Sequence, residues 1–478
     1  MEKTTTETAT PDYRRPFITI TLLFFLWGFI TVMNDVLIPY LKDSFDLSYF
    51  QAGLVQFAFF GAFFFVSLAY YFISLYRGDP INRIGYKLSI IISLLICGFG
   101  CAMFYPAAEF QAYPFFLGAL FLLATGVTLL QIAANPYAAI LGKPETASSR
   151  LNLAQGVNSL GTTIAPIAGG LLLYKVFATD GEVTIDSIKT PYLIYGALFV
   201  LLAIIVWRSH LPSFAKEEES TSSSLGALKF PHLRYGMIAI FMYVGGEVAI
   251  GSYLISFMKD ENILGLPEAT ASIYLAYYWG GAMIGRLCGA ISLSEIASSA
   301  RKYAYMAVTA LVVLGVVYVV TAIRIEEGVF AMNFMTPTQI APYLILIALN
   351  FVAFVAGRGN AARVLWVFSI GMITLLCIAS FTQGSLAFWA ALGTGLFNSI
   401  MWSNIFTLAI KDLKQHTSQG SSLLVMMIVG GAIVPLVMGA AADRVGIQLA
   451  FAVPIINYVY IGFYGLIGHR VHEPEVAA

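Results

Sequence analysis

The sequence predicts an all-α membrane protein with fourteen spans. Apolar residues make up 59% of its 478 residues, charged residues make up 11%, and the mean hydropathy is +0.81. A soluble domain carries about 25% charged residues. The apolar residues form continuous runs of about 20 residues, the length that crosses a bilayer as a helix. Helices are the expected element because they satisfy their own backbone hydrogen bonds in lipid, and barrel strands would show short alternating segments instead.

The first part of the chain contains six apolar runs between two polar segments. Residues 1–16 are polar and Thr-rich and lack the pattern of a signal peptide, which predicts a cytoplasmic tail. Residues 210–231 include an acidic and Ser-rich stretch, which predicts a linker. Between them, residues 17–209 are predicted to form a six-helix bundle. Its spans are expected at 17–42, 52–76, 86–106, 113–141, 150–176 and 190–208.

The second part of the chain, residues 232–470, contains eight runs and is followed by a short tail, residues 471–478. Its spans are expected at 232–258, 270–294, 302–323, 340–357, 363–381, 386–410, 420–442 and 446–468. Lys and Arg are concentrated before the first span and after each even-numbered span, and the opposite loops are poorer in them. This positive-inside pattern predicts that both termini are cytoplasmic in a cell inner membrane.

Other features argue against a nucleic-acid-binding protein, a metalloprotein and an enzyme. Lys and Arg number 26, as do Asp and Glu, so no basic surface for nucleic acid is expected. The sequence lacks a nucleotide loop, a metal-binding His pair and a nucleophile elbow, so we expect neither catalytic residues nor a cofactor. The cysteines lie in apolar runs and predict neither disulfides nor a metal site. They are Cys97, Cys101, Cys288 and Cys377. We expect lipid around the chain and a functional monomer.

Asp35 is the strongest candidate for a functional carboxylate in the first span. It lies roughly 18 residues into its apolar run, past the midplane but within the hydrocarbon at about 1.5 Å per residue. An ionisable residue at this depth is costly and marks a substrate or ion path. The alternative is that Asp35 lies at the helix end and extends to the interface.

Eight motifs along the chain resemble one family. They are FFLW at 24–27, NDVLIP at 34–39, FQAGL at 50–54, QIAANPY at 131–137, RLNLAQGVNS at 150–159, YVGGEVAIGS at 243–252, GLFNSI at 395–400 and IFTLAIK at 405–411. Together they resemble the L-fucose/proton symporter family of the major facilitator superfamily, and more closely its glucose/galactose transporter branch. The loop from Tyr76 to Lys87 resembles a degenerate form of the Gly-rich, charged loop of that superfamily.

The resemblance implies a major facilitator fold: two six-helix bundles with a substrate site between them, which rocking exposes to either side in turn. It also implies that the helix pair within about 300–357 is a peripheral insertion into the C-terminal bundle. The implied function is cation-coupled symport of a hexose such as glucose or galactose. A transporter of another sugar (fucose, mannose or N-acetylglucosamine), an uncoupled facilitator and a non-transporting sensor remain alternatives.

By the same resemblance, Asp35 carries the coupling charge, with Asn34 beside it. The fucose protein has Glu where this chain has Gln131, and Gln where this chain has Glu247. A carboxylate is therefore expected in the C-terminal bundle instead of the N-terminal one. Glu247 would serve as a neutral donor to the sugar, as a proton carrier or as a charge compensated by an ion. The alternative is that it pairs with a neighbouring helix.

Side-chain amides are the candidate sugar ligands because each can donate and accept hydrogen bonds. Gln155 and Asn158 match sugar-facing residues of the family, and Gln131 and Asn135 lie one turn apart on one face. The alternative is that such amides join helices, which is as strong an interpretation for Asn135 and Asn152 as the functional one. The candidates for stacking on the sugar ring are Trp27, Tyr243, Trp279 and Trp402. Asn398 and Asn404 are weaker polar candidates from the C-terminal half.

A proton and a sodium ion both fit the coupling carboxylate. A proton needs only a carboxyl group that titrates. Sodium needs several oxygen ligands, which Asp35, Asn34 and Thr31 would supply, with Thr125 or Thr128 as further donors of oxygen. The sequence leaves the choice of ion open and predicts no other metal site.

Overall fold

The computed structural model of the protein describes residues 13–46, 49–171, 185–213, 226–326 and 329–471. Most of both predicted tails, the centre of the predicted linker and the last residues of the predicted fifth span lie outside the described residues. Helices form the regular structure of the described chain, apart from one short β-hairpin.

The N-terminal half, defined as the described residues up to 213, contains eight helices. They are α1 (Arg14–Ser44), α2 (Tyr49–Arg77), α3 (Pro80–Ile84), α4 (Tyr86–Ala102), α5 (Phe104–Glu109), α6 (Tyr113–Ile140), α7 (Ala147–Leu171) and α8 (Lys189–Arg208). The long helices are apolar on their outward faces as well as inside: Leu201 and Trp207 of α8, for example, are at least half exposed. Such outward faces suit contact with lipid.

The C-terminal half, defined as the described residues from 226, contains eleven helices. They are α9 (Pro231–Lys259), α10 (Glu268–Ser292), α11 (Ser299–Ala322), α12 (Pro337–Gly357), α13 (Ala361–Phe381), α14 (Gly384–Asn398), α15 (Met401–Ala409), α16 (Thr417–Met426), α17 (Gly430–Val445), α18 (Ile447–Ala450) and α19 (Ile455–Phe463). Two predicted spans are interrupted: the twelfth between α14 and α15, and the thirteenth between α16 and α17.

One short β-hairpin, which the sequence analysis does not predict, accompanies the helices of the described chain. Strands β1 (Ile323–Glu326) and β2 (Val329–Met332) pair antiparallel between α11 and α12. In β1, Ile alternates with Arg or Glu, and β-branched residues with this period of two favour a strand. The hairpin joins the two helices that correspond to the predicted inserted pair.

Eleven helical segments of the described chain are long and apolar enough to cross a membrane. They are Arg14–Met33, Phe57–Arg77, Tyr86–Glu109, Tyr113–Ile140, Ile185–Arg208, Pro231–Lys259, Ser299–Ala322, Pro337–Gly357, Ala361–Phe381, Lys414–Val445 and Ile447–Gly468. The chain is therefore a multi-pass membrane protein. Helix α7, helix α10 and the interrupted α14–α15 are outside this set.

Helix packing in the two halves follows one pattern. In the N-terminal half, α1 packs along α7, α2 packs on α6, and α4 lies between α6 and α8. In the C-terminal half, α9 packs along α17, α10 packs on α14, and α13 lies between α14 and α19. Helices α11 and α12 have no counterpart in this pattern among the described helices. They pack on the outside, α11 against α10 and α12 against α13 and α14.

Polar contacts between the halves cluster at one end of the molecule, which we call the linker end. This is where α6 ends, α7 begins and the described parts of the linker lie. The residue pairs that form these contacts are Asn82 and Gln415, Tyr86 and Ser418, Lys143 and Glu295, Ser148 and Thr407, Ser149 and Ala290, and Asn152 and Asn404. The halves are thus joined at the linker end.

Candidate functional site

A buried ion pair lies where α7, α9, α10 and the α14–α15 interruption meet. Arg286 Nη2 of α10 is 3.1 Å from Glu247 Oε1 of α9, and the two side chains are 10% and 13% exposed. Taking two charges out of water is costly, so a pair at this depth depends on good geometry and further hydrogen bonds. Glu247 is therefore paired with a neighbouring helix, as one of its predicted interpretations anticipated.

The guanidinium of Arg286 makes further contacts to three other groups. Its Nη1 donates to Ser159 Oγ of α7 at 2.5 Å, its Nε donates to the Ser399 carbonyl at 3.2 Å, and its Nη2 lies 3.4 Å from the Tyr243 hydroxyl. Arg286 thus donates hydrogen bonds to acceptors in both halves of the molecule.

Buried tyrosines and an amide surround this ion pair. The Tyr278 hydroxyl donates to the Glu247 carbonyl at 3.1 Å, and the Asn398 amide donates to the Tyr278 hydroxyl at 3.4 Å. The Tyr458 hydroxyl in turn donates to Asn398 Oδ1 at 3.1 Å. Asn398, a candidate sugar ligand, is therefore part of the hydrogen-bonded network that supports Glu247.

Gln131 of α6 and Gln155 of α7 have unengaged side chains. Each is 6% exposed, and neither amide has a hydrogen-bond partner among the described residues. A side-chain amide that is almost buried and makes no hydrogen bond to the described residues is available to bind a polar ligand. Of the predicted sugar-binding amides, these two best keep that capacity.

Asn158 differs from the two glutamines because it joins two helices. Its Nδ2 donates to the Phe24 carbonyl of α1 at 2.8 Å. Gly28 permits this close approach, because a Cβ there would lie 2.6 Å from the Asn158 Nδ2 atom. The structure therefore gives Asn158 a packing contact between α1 and α7.

Asn135 and Asn152 differ from each other in their hydrogen bonds. Asn135 is fully buried, and neither of its amide atoms has a partner in the described structure. Asn152 Nδ2 donates to the Ser148 carbonyl and, at 3.0 Å, to Asn404 Oδ1 of the other half. Asn152 and Asn404 thus belong to the contact between the halves.

Comparison with known proteins identifies the family. The model of the Major Facilitator Superfamily matches residues 17–362. The chain belongs to the Major Facilitator Superfamily. The predicted family is thereby confirmed, as is the prediction of a membrane transporter fold instead of an enzyme.

Relatives within this superfamily cover almost the whole chain. A glucose/galactose transporter of Brucella abortus is 44% identical over 470 residues, which span 97% of each chain. The L-fucose-proton symporter of Escherichia coli K12 is 30% identical and aligns over 94% of this chain and 92% of its own. A crystal structure of FucP, a Major Facilitator Superfamily transporter in the outward conformation, has a TM-score of 0.71 and 28% identity and covers 95% of this chain and 98% of that chain.

The predicted ion-coupling residues of this superfamily member are only partly described. Asn34 and Asp35 lie within α1, but their side chains are outside the described part of the structure. The predicted auxiliary oxygens donate to carbonyls of their own helices: Thr31 to Trp27, Thr125 to Phe121 and Thr128 to Ala124. Each hydroxyl proton is thus engaged within its own helix; coordination of a cation would use the lone pairs of the oxygen, which these contacts leave free.

The aromatic candidates occupy different environments. Trp27 is buried, and its ring centroid lies 4.3 Å from that of Phe24. Trp402 is buried too, but its Nε1 has no hydrogen-bond partner among the described residues, so this N–H can bind a polar ligand. Trp279 is 37% exposed. The Tyr243 hydroxyl lies 3.4 Å from Arg286 Nη2.

Sequence reasoning missed Arg286 as a functional residue. The available signal was its position: a guanidinium inside an apolar run needs a counter-charge, and the preceding span contains a carboxylate, Glu247.

Proposed function

We propose that the chain is a secondary active sugar transporter that moves a hexose, glucose or galactose, together with a cation. The observation that carries the proposal is the pair of unengaged amides of Gln131 and Gln155 in a chain whose relatives include a glucose/galactose transporter. A hexose presents several hydroxyl groups, and each amide can donate to one and accept from another. Trp402 Nε1 is a further donor from the other half.

The proposed topology has fourteen spans. The eleven apolar segments, together with α7, α10 and the interrupted α14–α15, supply that number. The repeated packing pattern supports two six-helix bundles, residues 17–209 and 232–470, with α11 and α12 as an inserted pair and residues 210–231 as the linker. The polar faces of α7 and α10 explain their lower hydropathy, because these helices meet each other between the halves.

The proposed orientation puts the linker end and both termini in the cytoplasm of a cell with this protein in its inner membrane, as a monomer. Arg14, Arg77, Lys143 and Arg208 lie at this end, as the positive-inside rule requires. Because the halves are joined there, the conformation is closed to the cytoplasm. The FucP structure with which the chain shares its fold is in the outward conformation, which agrees with this interpretation.

The proposed cycle follows from these contacts. Sugar enters from the end opposite the linker end and binds the amides of Gln131 and Gln155. The halves then rock, the contacts at the linker end separate, and the sugar leaves to the cytoplasm. Asp35 and Glu247 are the proposed ion-coupling carboxylates. The proton is the proposed ion, because a relative is named L-fucose-proton symporter and titration needs no further ligand.

The test is uptake of labelled glucose and galactose into proteoliposomes under an imposed proton gradient or an imposed sodium gradient. We expect accumulation with the proton gradient alone. Accumulation with the sodium gradient alone would show that the coupling ion is sodium and not the proton. Equilibration without accumulation would refute coupling, and no flux of either hexose, in liposomes that contain folded protein, would refute the proposed substrate.

A further inference from the structure

Arg286 is the one described cation with direct hydrogen bonds to both the Glu247 carboxylate and the opposite half of the molecule. Glu247 and Tyr243 lie on α9 and Ser399 at the α14–α15 interruption, all in the C-terminal half. Ser159 lies on α7, in the N-terminal half. Removing the charge on Glu247 therefore changes the setting of the Arg286–Ser159 hydrogen bond, which joins the two halves.

The α14–α15 interruption helps to hold the guanidinium in place. Helix α14 ends at Asn398 and α15 begins at Met401, so some backbone carbonyls near the interruption lack the usual helical partner, whereas the Ile400 carbonyl accepts from the Asn404 N–H. Arg286 Nε donates to one of them, the Ser399 carbonyl. Gly285 makes the approach possible, because a Cβ at that position would lie 2.0 Å from Ser399 Oγ.

The Ser159 hydroxyl is oriented to accept from Arg286. Its own proton is donated to the Gln155 carbonyl one turn earlier, at 2.9 Å. Its oxygen accepts from Arg286 Nη1 at 2.5 Å. Ser159 lies further along α7 than Ser148, Ser149 and Asn152, so this is the deepest of the described hydrogen bonds that α7 makes to the other half. It is also the one that reaches the turn of α7 bearing Gln155.

We propose that Arg286 is a positioning residue that links the charge state of Glu247 to the closure of the linker end through Ser159. While Glu247 is ionised, it holds the guanidinium where Nη1 also binds Ser159. When Glu247 takes up a proton, the guanidinium loses its counter-charge and the Ser159 contact weakens. The linker end then opens more readily. This inference deepens the proposed function, because it names the step by which a bound proton favours the opposite conformation.

The surroundings of Glu247 leave Arg286 as the described group that compensates its charge. Among the described residues, the titratable groups that face Glu247 are Tyr243 on its own helix, Tyr278 and Arg286 on α10, and Tyr458 on α19. The three tyrosines are neutral near neutral pH. Loss of one charge of the ion pair leaves the other buried without a partner, which is strongly unfavourable.

The experiment is a double-mutant cycle that measures opening of the linker end in the absence of sugar. Spin labels at Glu145→Cys and Ala297→Cys, exposed positions on opposite halves, report the distance between the ends of α7 and α10 in nanodiscs. The native cysteines are replaced by alanine. The variants are Glu247→Gln, Ser159→Ala and the two together. Ser148→Ala is the matched control, because it removes a hydrogen bond between the halves, to Thr407, that does not involve Arg286.

We expect Ser159→Ala to raise the ratio of open to closed molecules roughly fivefold when Glu247 is present, the loss typical of one hydrogen bond. In the Glu247→Gln background it should change the ratio less than about twofold, because the contact is already weakened. Ser148→Ala should have the same effect in both backgrounds. Equal effects of Ser159→Ala in the two backgrounds would overturn the proposal.

A second measurement uses the native carboxylate, so that the test stands even if Glu247→Gln does not fold. Acidification should shrink the effect of Ser159→Ala and leave the effect of Ser148→Ala unchanged. Parallel behaviour of the two serine variants with pH would overturn the proposal. Both readouts need no sugar, so failure of glucose transport would refute the proposed substrate without bearing on Arg286.

Discussion

Asn152 of α7 and Asn404 of α15 form a side-chain hydrogen bond of 3.0 Å across the two halves. Both residues are fully buried. Asn152 also donates to the Ser148 carbonyl, and Asn404 donates to the Ala361 carbonyl, so each amide is anchored within its own half. Two anchored amides that meet across an interface form a contact that must separate when the halves move apart.

We predict that Asn152→Ala raises the ratio of open to closed molecules at the linker end about fivefold or more. The variant removes one hydrogen bond and leaves Asn404 Oδ1 buried without its partner, which destabilises the closed state. The distance between labels on α7 and α10 measures the ratio. Thr374→Ala is the control, because Thr374 bonds only to a carbonyl of its own helix. An unchanged distance distribution in Asn152→Ala would contradict the role of this pair.

We predict that the two candidate amides of α7 affect different properties: Gln155 affects sugar binding, and Asn158 affects the stability of the protein. Gln155→Leu removes an amide that makes no hydrogen bond to the described residues, so we expect sugar binding to weaken about tenfold, with little change in thermal stability. Asn158→Leu removes the bond to the Phe24 carbonyl. We expect this variant to lower the stability of the protein by about 1–2 kcal/mol.

Equilibrium binding of glucose and the midpoint of thermal unfolding, measured on both α7 variants in the same detergent, test this separation. If Gln155→Leu unfolds earlier but binds sugar normally, then Gln155 is a packing residue and the proposed sugar site is wrong on α7.

We predict that Asp35 is required for uphill accumulation of sugar and not for exchange of sugar across the membrane. In Asp35→Asn we expect sugar exchange across the membrane to continue and uphill accumulation under a proton gradient to be lost, because an amide cannot carry a proton. Counterflow of labelled sugar measures the first property, and gradient-driven uptake measures the second. Retained uphill accumulation would remove Asp35 from the coupling mechanism.

The sequence predicted helix positions well because membrane helices need about 20 apolar residues and such runs are visible directly. It also predicts Gln131 and Gln155 as sugar ligands, and that role stays a prediction. It could not separate Gln155 from Asn158, since the two lie one turn apart on the same helix. Their difference depends on the Phe24 carbonyl, which a neighbouring helix supplies.

The ion pair shows a second limit. Glu247 was recognised because a carboxylate in a span is conspicuous, but its partner lies on another helix. Only the structure identifies Arg286 as that partner, because there α9 packs against α10 and the Ser399 carbonyl at the α14–α15 interruption accepts a hydrogen bond from Arg286. The hairpin between α11 and α12 was missed because four-residue strands are too short for their period to stand out in an apolar chain.

Because α1 packs closely along α7, we predict that the stability of the protein depends strongly on one glycine at this contact, Gly161. A Cβ at Gly161 would lie 2.3 Å from the Phe25 carbonyl, so Gly161→Ala must push the two helices apart. We expect a loss of about 1–3 kcal/mol in stability, the usual cost of overpacking. Gly118 on α6 is the matched control, since a Cβ there meets no atom within 4 Å. Gly118→Ala should leave the protein equally or more stable, because Ala is the better helix former. Thermal unfolding in detergent compares the two variants, and equal unfolding midpoints would show that α1 and α7 are not held at this distance.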